Sequence, residues 1–133
     1  MIKGTVLVVD NDDSAQSMVA AILKDAGFGV VRAYDAVSAL CVQAAIALDM
    51  VVTASNVPGM EGTALLRAMH DRNPNLPLIF VTDRPSRDTE ARATADGASR
   101  YYCKPFDAAV FHRVGDDAIA EVRARRASER RWH

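Results

Sequence analysis

An α/β fold built on a parallel sheet is predicted for this chain by three observations. Short β-rich apolar runs alternate five times with helical stripes. The strand-like runs are apolar on both faces, as strands buried from both sides require. Neither a long linker nor a low-complexity stretch interrupts the alternation, and right-handed crossovers then put helices on both faces of one sheet. The chain is 133 residues long, 50% hydrophobic and 25% charged, which is one domain of ordinary globular usage.

The elements follow in order. Thr5–Val9 is the first strand and ends at Asp10. Asn11, Asp12, Asp13 and Ser14 offer helix-capping side chains, and Met18, Ala21, Ile22 and Ala26 follow at helical spacing. Gly27 and Gly29 close that helix. Val30 and Val31 make the second strand, and Val37, Leu40, Cys41, Ala44 and Ala45 the second helical stripe. Residues 50–53 form the third strand, which leads into a turn-rich loop over residues 56–62. Leu65, Leu66 and Met69 mark the third helix, which stops before Asn73-Pro74 because a residue preceding proline avoids helical geometry. Residues 78–81 are the fourth strand, residues 86–96 a polar helix ended by Gly97, and residues 101–103 the fifth strand. Asp107 caps a last helix whose apolar positions are Val110, Phe111, Val114, Ala118 and Val122.

Composition excludes several classes. The formal net charge of −1 argues against a chain-wide polyanion binder. It hides an asymmetry: residues 121–133 hold five arginines and two glutamates, +3, while residues 1–120 hold 11 basic and 15 acidic residues, −4. This divides the chain into a domain over residues 1–122 and a basic helix extension or tail over residues 123–133. The tail reads as a solvated helix end before it reads as a docking segment. Nucleic acid is an unlikely partner, because the basic patch is small and no DNA-binding helix pair accompanies it. No stretch has the roughly 20 apolar residues a membrane span needs, and a cytoplasmic protein is expected. Cys41 and Cys103 are too few for a disulfide framework and read as small core hydrophobes. His70, His112 and His133 show no metal-ligand spacing.

In such folds chemistry gathers at the carboxyl ends of the strands. Those ends carry Asp10, Asn11, Ala54, Thr82 and Lys104. Four motifs stand there in order: VLVVDND, VPGMEG, FVTD and YYCKPF. Together they resemble the receiver domain of two-component response regulators over about residues 4–122. The resemblance implies a flavodoxin-like, doubly wound sandwich: five parallel strands in the order 2-1-3-4-5, with five helices. It also implies an aspartate at the end of the third strand that takes a phosphoryl group from a histidine kinase. That chemistry uses a carboxylate nucleophile and a Mg²⁺ ion held by oxygen ligands. Carried over, Asp10 matches the first acidic residue, Asn56 the position whose backbone carbonyl reaches the metal, and Thr82 the switch hydroxyl. Lys104 matches the phosphate-neutralising lysine, Tyr101 the switch aromatic, and Pro105 a proline after a cis bond.

Two matches fail. The acceptor position, four residues before Pro58, is Ala54, and the second acidic position is Asn11. The residues read as a degenerate receiver with impaired Mg²⁺ binding, no cofactor and no enzymatic activity. It would act by phosphorylation-independent contact with a histidine kinase, another regulator or an output protein. A homodimer through the fourth helix, fifth strand and fifth helix is a further option. The alternative is phosphorylation at a non-standard acceptor, or weak Mg²⁺-dependent phosphotransfer. Strand alternation turns Thr53 and Ser55 away from the Ala54 direction, and Asp12 and Asp13 read as helix caps before metal ligands. Lys104 is expected to pair with Asp10, or less favourably with Asp83. A flavodoxin-like small-molecule enzyme is disfavoured, because no glycine-rich phosphate loop follows the first strand.

Overall fold

The computed structural model describes residues 4–55, 57–60, 63–103 and 108–131, with side chains in the last stretch described at 113, 116, 117 and 119–128. Along the chain run β1 (Thr5–Val9), α1 (Asp13–Asp25), β2 (Gly29–Ala33), α2 (Ala36–Ala45), β3 (Met50–Ala54), α3 (Ala64–Arg72), β4 (Leu78–Thr82), α4 (Arg87–Ala95), β5 (Arg100–Cys103) and α5 (Ala108–Arg131). The strands form one parallel sheet in the order β2-β1-β3-β4-β5, the order the motifs imply.

The period-two alternation of strand side chains divides the core between the two faces. Leu7, Val9, Val51, Leu78 and Phe80 pack with Ala36, Ala39, Leu65, Leu66, Met69 and Ala93 from α2, α3 and α4. Val6, Val8, Met50, Val52, Ile79 and Val81 pack on the other face with Val19 and Leu23 of α1 and Val122 of α5. All five residues of β3 and all five of β4 are buried. That is why these strands read as unbroken apolar runs rather than alternating ones.

Caps set the helix starts. Asp12 accepts from the backbone N–H of Ser14 and Ala15, Asp35 from that of Ser38 and Ser86 from that of Thr89. The capping role expected of Asp12 is therefore observed. α4 stops at Gly97, whose φ of +114° suits glycine, and a Cβ there would lie 2.6 Å from the His70 ring.

Two helical faces differ from the sequence expectation. On α1 the buried residues are Gln16, Val19, Ala20 and Leu23, while Met18 is 47% exposed. The true stripe contains a glutamine, so counting apolar residues selects the neighbouring face. On α2 the buried residues are Ala36 and Ala39, with Val37 and Cys41 exposed. Here small residues face inward because the helix start packs closely on the β3–α3 loop: Ala36 N–H donates to Pro58 C=O at 2.9 Å. Cys103 is also exposed, since it closes the edge strand β5. Neither cysteine is the core residue that the sequence suggests.

α5 runs on as one helix through the basic segment to Arg131. Its Arg125 Nη1 donates to Leu48 C=O at 2.8 Å, and Arg126 pairs with Asp49 at 3.2 Å. Asp49 in turn accepts from Thr5 N–H at 2.8 Å. The extension thereby lies against the start of β3, opposite the strand ends that carry the motifs.

Candidate functional site

The site is assembled at the carboxyl ends of β1, β3 and β4. Register pairs Val9 with Thr53 and Ala54 with Val81. One step further along the sheet, Asp10 therefore flanks Ala54, and Thr82 flanks Ser55. Asp10 is 5% exposed and Ala54 6%. The Asp10 Oδ1 accepts from Asp12 N–H at 2.9 Å, which turns the chain from β1 into α1. Asn11 is exposed.

The acidic residues after Asp10 have other duties. Asp12 caps α1. Asp13 pairs with Arg32 at 3.1 Å and accepts from the Tyr34 hydroxyl at 2.9 Å. That bond is the main cause holding the Tyr34 hydroxyl above its usual pKa, because a phenolate could not donate to Asp13. Among the described residues no group of three or more His, Cys, Asp or Glu is placed to hold a metal ion.

Beneath this loop lies Gln16, fully buried. Its Nε2 donates to Asp10 C=O at 3.1 Å and to Ala33 C=O at 2.7 Å, and its Oε1 accepts from Arg32 Nε. One amide thus ties the ends of β1 and β2 together and satisfies all its own polar groups, as burial demands. The sequence reading placed Gln16 on no face. The signal that would have found it is its position three residues before Val19 and seven before Leu23.

Thr82 is 1% exposed. Its Oγ1 accepts from the Ser55 hydroxyl at 3.0 Å and from Arg84 N–H at 3.1 Å. Ser55 thus sits beside Thr82, one register step past the Ala54–Val81 pair, in keeping with the alternation that turns it away from Ala54. Thr53 follows the strand rule, buried with its Oγ1 donating to Ala54 C=O. Tyr101 stacks on Phe80 with ring centroids 6.0 Å apart. Its hydroxyl is buried beside the Ser86 backbone without a fully formed hydrogen bond among the described residues. Burial raises its pKa, and the Ser86 backbone partly opposes that. Asn56, Lys104 and Pro105 lie outside the described residues, as do the expected pairings of Lys104 with Asp10 or Asp83.

Five parallel strands in this order, with Asp10 and Thr82 at carboxyl ends and Tyr101 on β5 beside Phe80, agree with a family comparison. The response regulator receiver domain model matches residues 6–114. The chain belongs to this family. The receiver is 35% identical over 108 residues to the chemotaxis protein CheY of Pseudomonas aeruginosa, an alignment covering 79% of this chain and 87% of that protein. It is 33% identical over 122 residues to the DNA-binding transcriptional regulator NtrC of Salmonella typhimurium, covering 92% of this chain and 24% of that protein. The chain thus spans about a quarter of the length of its NtrC relatives. Among solved structures, NtrX from Brucella abortus superposes with a TM-score of 0.85 at 29% identity, over 97% of this chain and 29% of that one. A CheY-like receiver from Methanospirillum hungatei JF-1 superposes at 0.83 with 25% identity, over 93% and 98%. Among the described residues of the receiver, no helix is long and apolar enough to cross a membrane.

Proposed function

We propose that this receiver works in two-component signalling as a cytoplasmic protein-interaction module that needs no phosphorylation at the usual position. The observation that carries the reading is Ala54, buried at the end of β3 with Asp10 on one side and Val81 on the other. A methyl group has no lone pair with which to attack phosphorus, and a hydroxyl such as Ser55 needs an activating base. The Ser55 proton is engaged with Thr82.

The donor set does not suit the Mg²⁺ ion that the family chemistry uses. Mg²⁺ demands near-octahedral oxygen ligation and relies on carboxylates to offset its dehydration. Here Asp10 is the one carboxylate, with a neutral amide at Asn11 and a methyl at Ala54 in the other two acidic positions, so no step is routed through a metal. Neither a cofactor nor an enzymatic role belongs to this reading.

Contact with a histidine kinase, another regulator or an output protein would use the face made by α4, β5 and α5. A groove of about 380 Å³ lies there, lined by Glu90, Thr94, Tyr101, Tyr102 and Asp117 among others. A second copy of the chain could use the same face. The test is intact-mass measurement after incubation with phosphoramidate and Mg²⁺. An unmodified mass is expected. A stable phosphoryl adduct, on Ser55 or elsewhere, would overturn the proposal in favour of a non-standard acceptor.

A further inference from the structure

We infer that Ser55 is a positioning residue whose hydroxyl, acting through Thr82, holds the β4–α4 loop over Tyr101 and so shapes the groove on β5. The inference deepens the reading above, resting on it only for the claim that the groove is used without phosphate.

The contacts form a continuous series. Ser55 Oγ donates to Thr82 Oγ1 at 3.0 Å, and the same oxygen accepts from Arg84 N–H at 3.1 Å. Arg84 stands in the short loop that reaches Ser86, the cap of α4. The Ser86 backbone lies beside the buried Tyr101 hydroxyl, and the Tyr101 ring rests on Phe80, two residues before Thr82 on the same strand. Tyr101 and Glu90, on either side of that loop and cap, line the groove.

The chemistry explains why a hydroxyl is needed at position 55. A threonine hydroxyl has one proton and two acceptor sites. With Ser55 and Arg84 both donating, the oxygen's acceptor sites are filled and its rotamer is set. The side chain is 1% exposed, so water does not readily replace a lost partner. Without Ser55, Thr82 is free to turn, and the bond to Arg84 N–H weakens with it. The loop then loses its tie to the sheet, and the cover over the Tyr101 hydroxyl opens.

The experiment compares wild type, Ser55→Ala, Ser55→Thr, Thr82→Val and the Ser55→Ala/Thr82→Val double variant. Two readouts are followed: hydrogen exchange of the amides over residues 84–90, and the titration of the Tyr101 hydroxyl by ¹³C-tyrosine NMR. Loss of one net hydrogen bond should speed exchange in that stretch by about fivefold to tenfold in Ser55→Ala. The Tyr101 titration should move down towards the ordinary tyrosine range. Ser55→Thr, which keeps the hydroxyl, should restore both. The double variant should add nothing to Thr82→Val, because the two residues act in series. Unchanged exchange and titration in Ser55→Ala, or additive effects in the double variant, would overturn the inference. Should Ser55→Ala not fold, Ser55→Cys, with its weaker donor, should shift both readouts in the same direction, and no shift would be equally fatal. Either failure leaves the mass test of phosphorylation untouched.

Discussion

Replacing Gln16 probes how the ends of β1 and β2 are joined. Methionine has a similar unbranched shape and can fill the same space, so Gln16→Met removes polarity with little change of volume. Three hydrogen bonds disappear: those to Asp10 C=O and Ala33 C=O, and the one from Arg32 Nε. Not all three partners are stranded. Ala33 C=O still accepts from Asp10 N–H at 3.2 Å, and Arg32 still reaches Asp13 and Ser17. At about 1 kcal/mol net per bond the gross loss is about 3 kcal/mol. Burying the methionine offsets about 1 kcal/mol of this, leaving a destabilisation of about 2 kcal/mol. For a domain of this size that lowers Tm by roughly 6–10 °C. Urea unfolding should show a lower midpoint with an unchanged m-value. Gln16→Glu should cost more than Gln16→Met despite being closer in shape, because it aims a carboxylate at two carbonyl oxygens. A loss under about 0.5 kcal/mol for the methionine variant, or a glutamate variant as stable as wild type, would refute the reasoning.

Three further predictions address the site, the sheet's opposite pole and pH. Ala54→Asp alone should remain poorly phosphorylated by phosphoramidate, while Ala54→Asp with Asn11→Asp should do clearly better; intact mass decides, and efficient labelling of the single variant would show that Asn11 matters little. Asp49→Ala should destabilise more than Arg126→Ala by chemical denaturation. The arginine loses a partly exposed ion pair worth about 0.5 kcal/mol, whereas the aspartate also leaves Thr5 N–H without its acceptor. Tyr102 is held well above its ordinary pKa, first by burial and then by its hydrogen bond to the Asp117 carboxylate. A raised folded pKa means that this stabilisation is whole below the unfolded value of about 10 and is lost as pH rises towards the folded one. Stability should therefore fall on the alkaline side of pH 10, and Tyr102→Phe should flatten that limb in denaturation curves collected across pH.

The strands were legible because β1, β3 and β4 are buried on both faces and so spell themselves as apolar runs. The helix faces were less so. On α1 a buried glutamine sits in the true stripe, and on α2 alanines do the packing, so hydrophobicity alone points one residue aside. Asp10, Thr82 and Tyr101 could be placed from motif spacing, since each lies within or next to a strand of fixed register. The Ser55–Thr82 bond could not. Alternation turns Ser55 away from Ala54, but that it meets Thr82 there follows from the β3–β4 register, which the motifs do not state.

The junction of α5 with the start of β3 has a mechanical consequence. β3 lies mid-sheet, between β1 and β4, and Arg125 and Arg126 grip Leu48 and Asp49 immediately before it. Asp49 also holds the first residue of β1. A force applied to the far end of α5 therefore reaches β3 and, through Asp49, β1 before it reaches the edge strand β5, which the helix holds further back through Glu121 and Asp117. Tension there loads the centre of the sheet before its border.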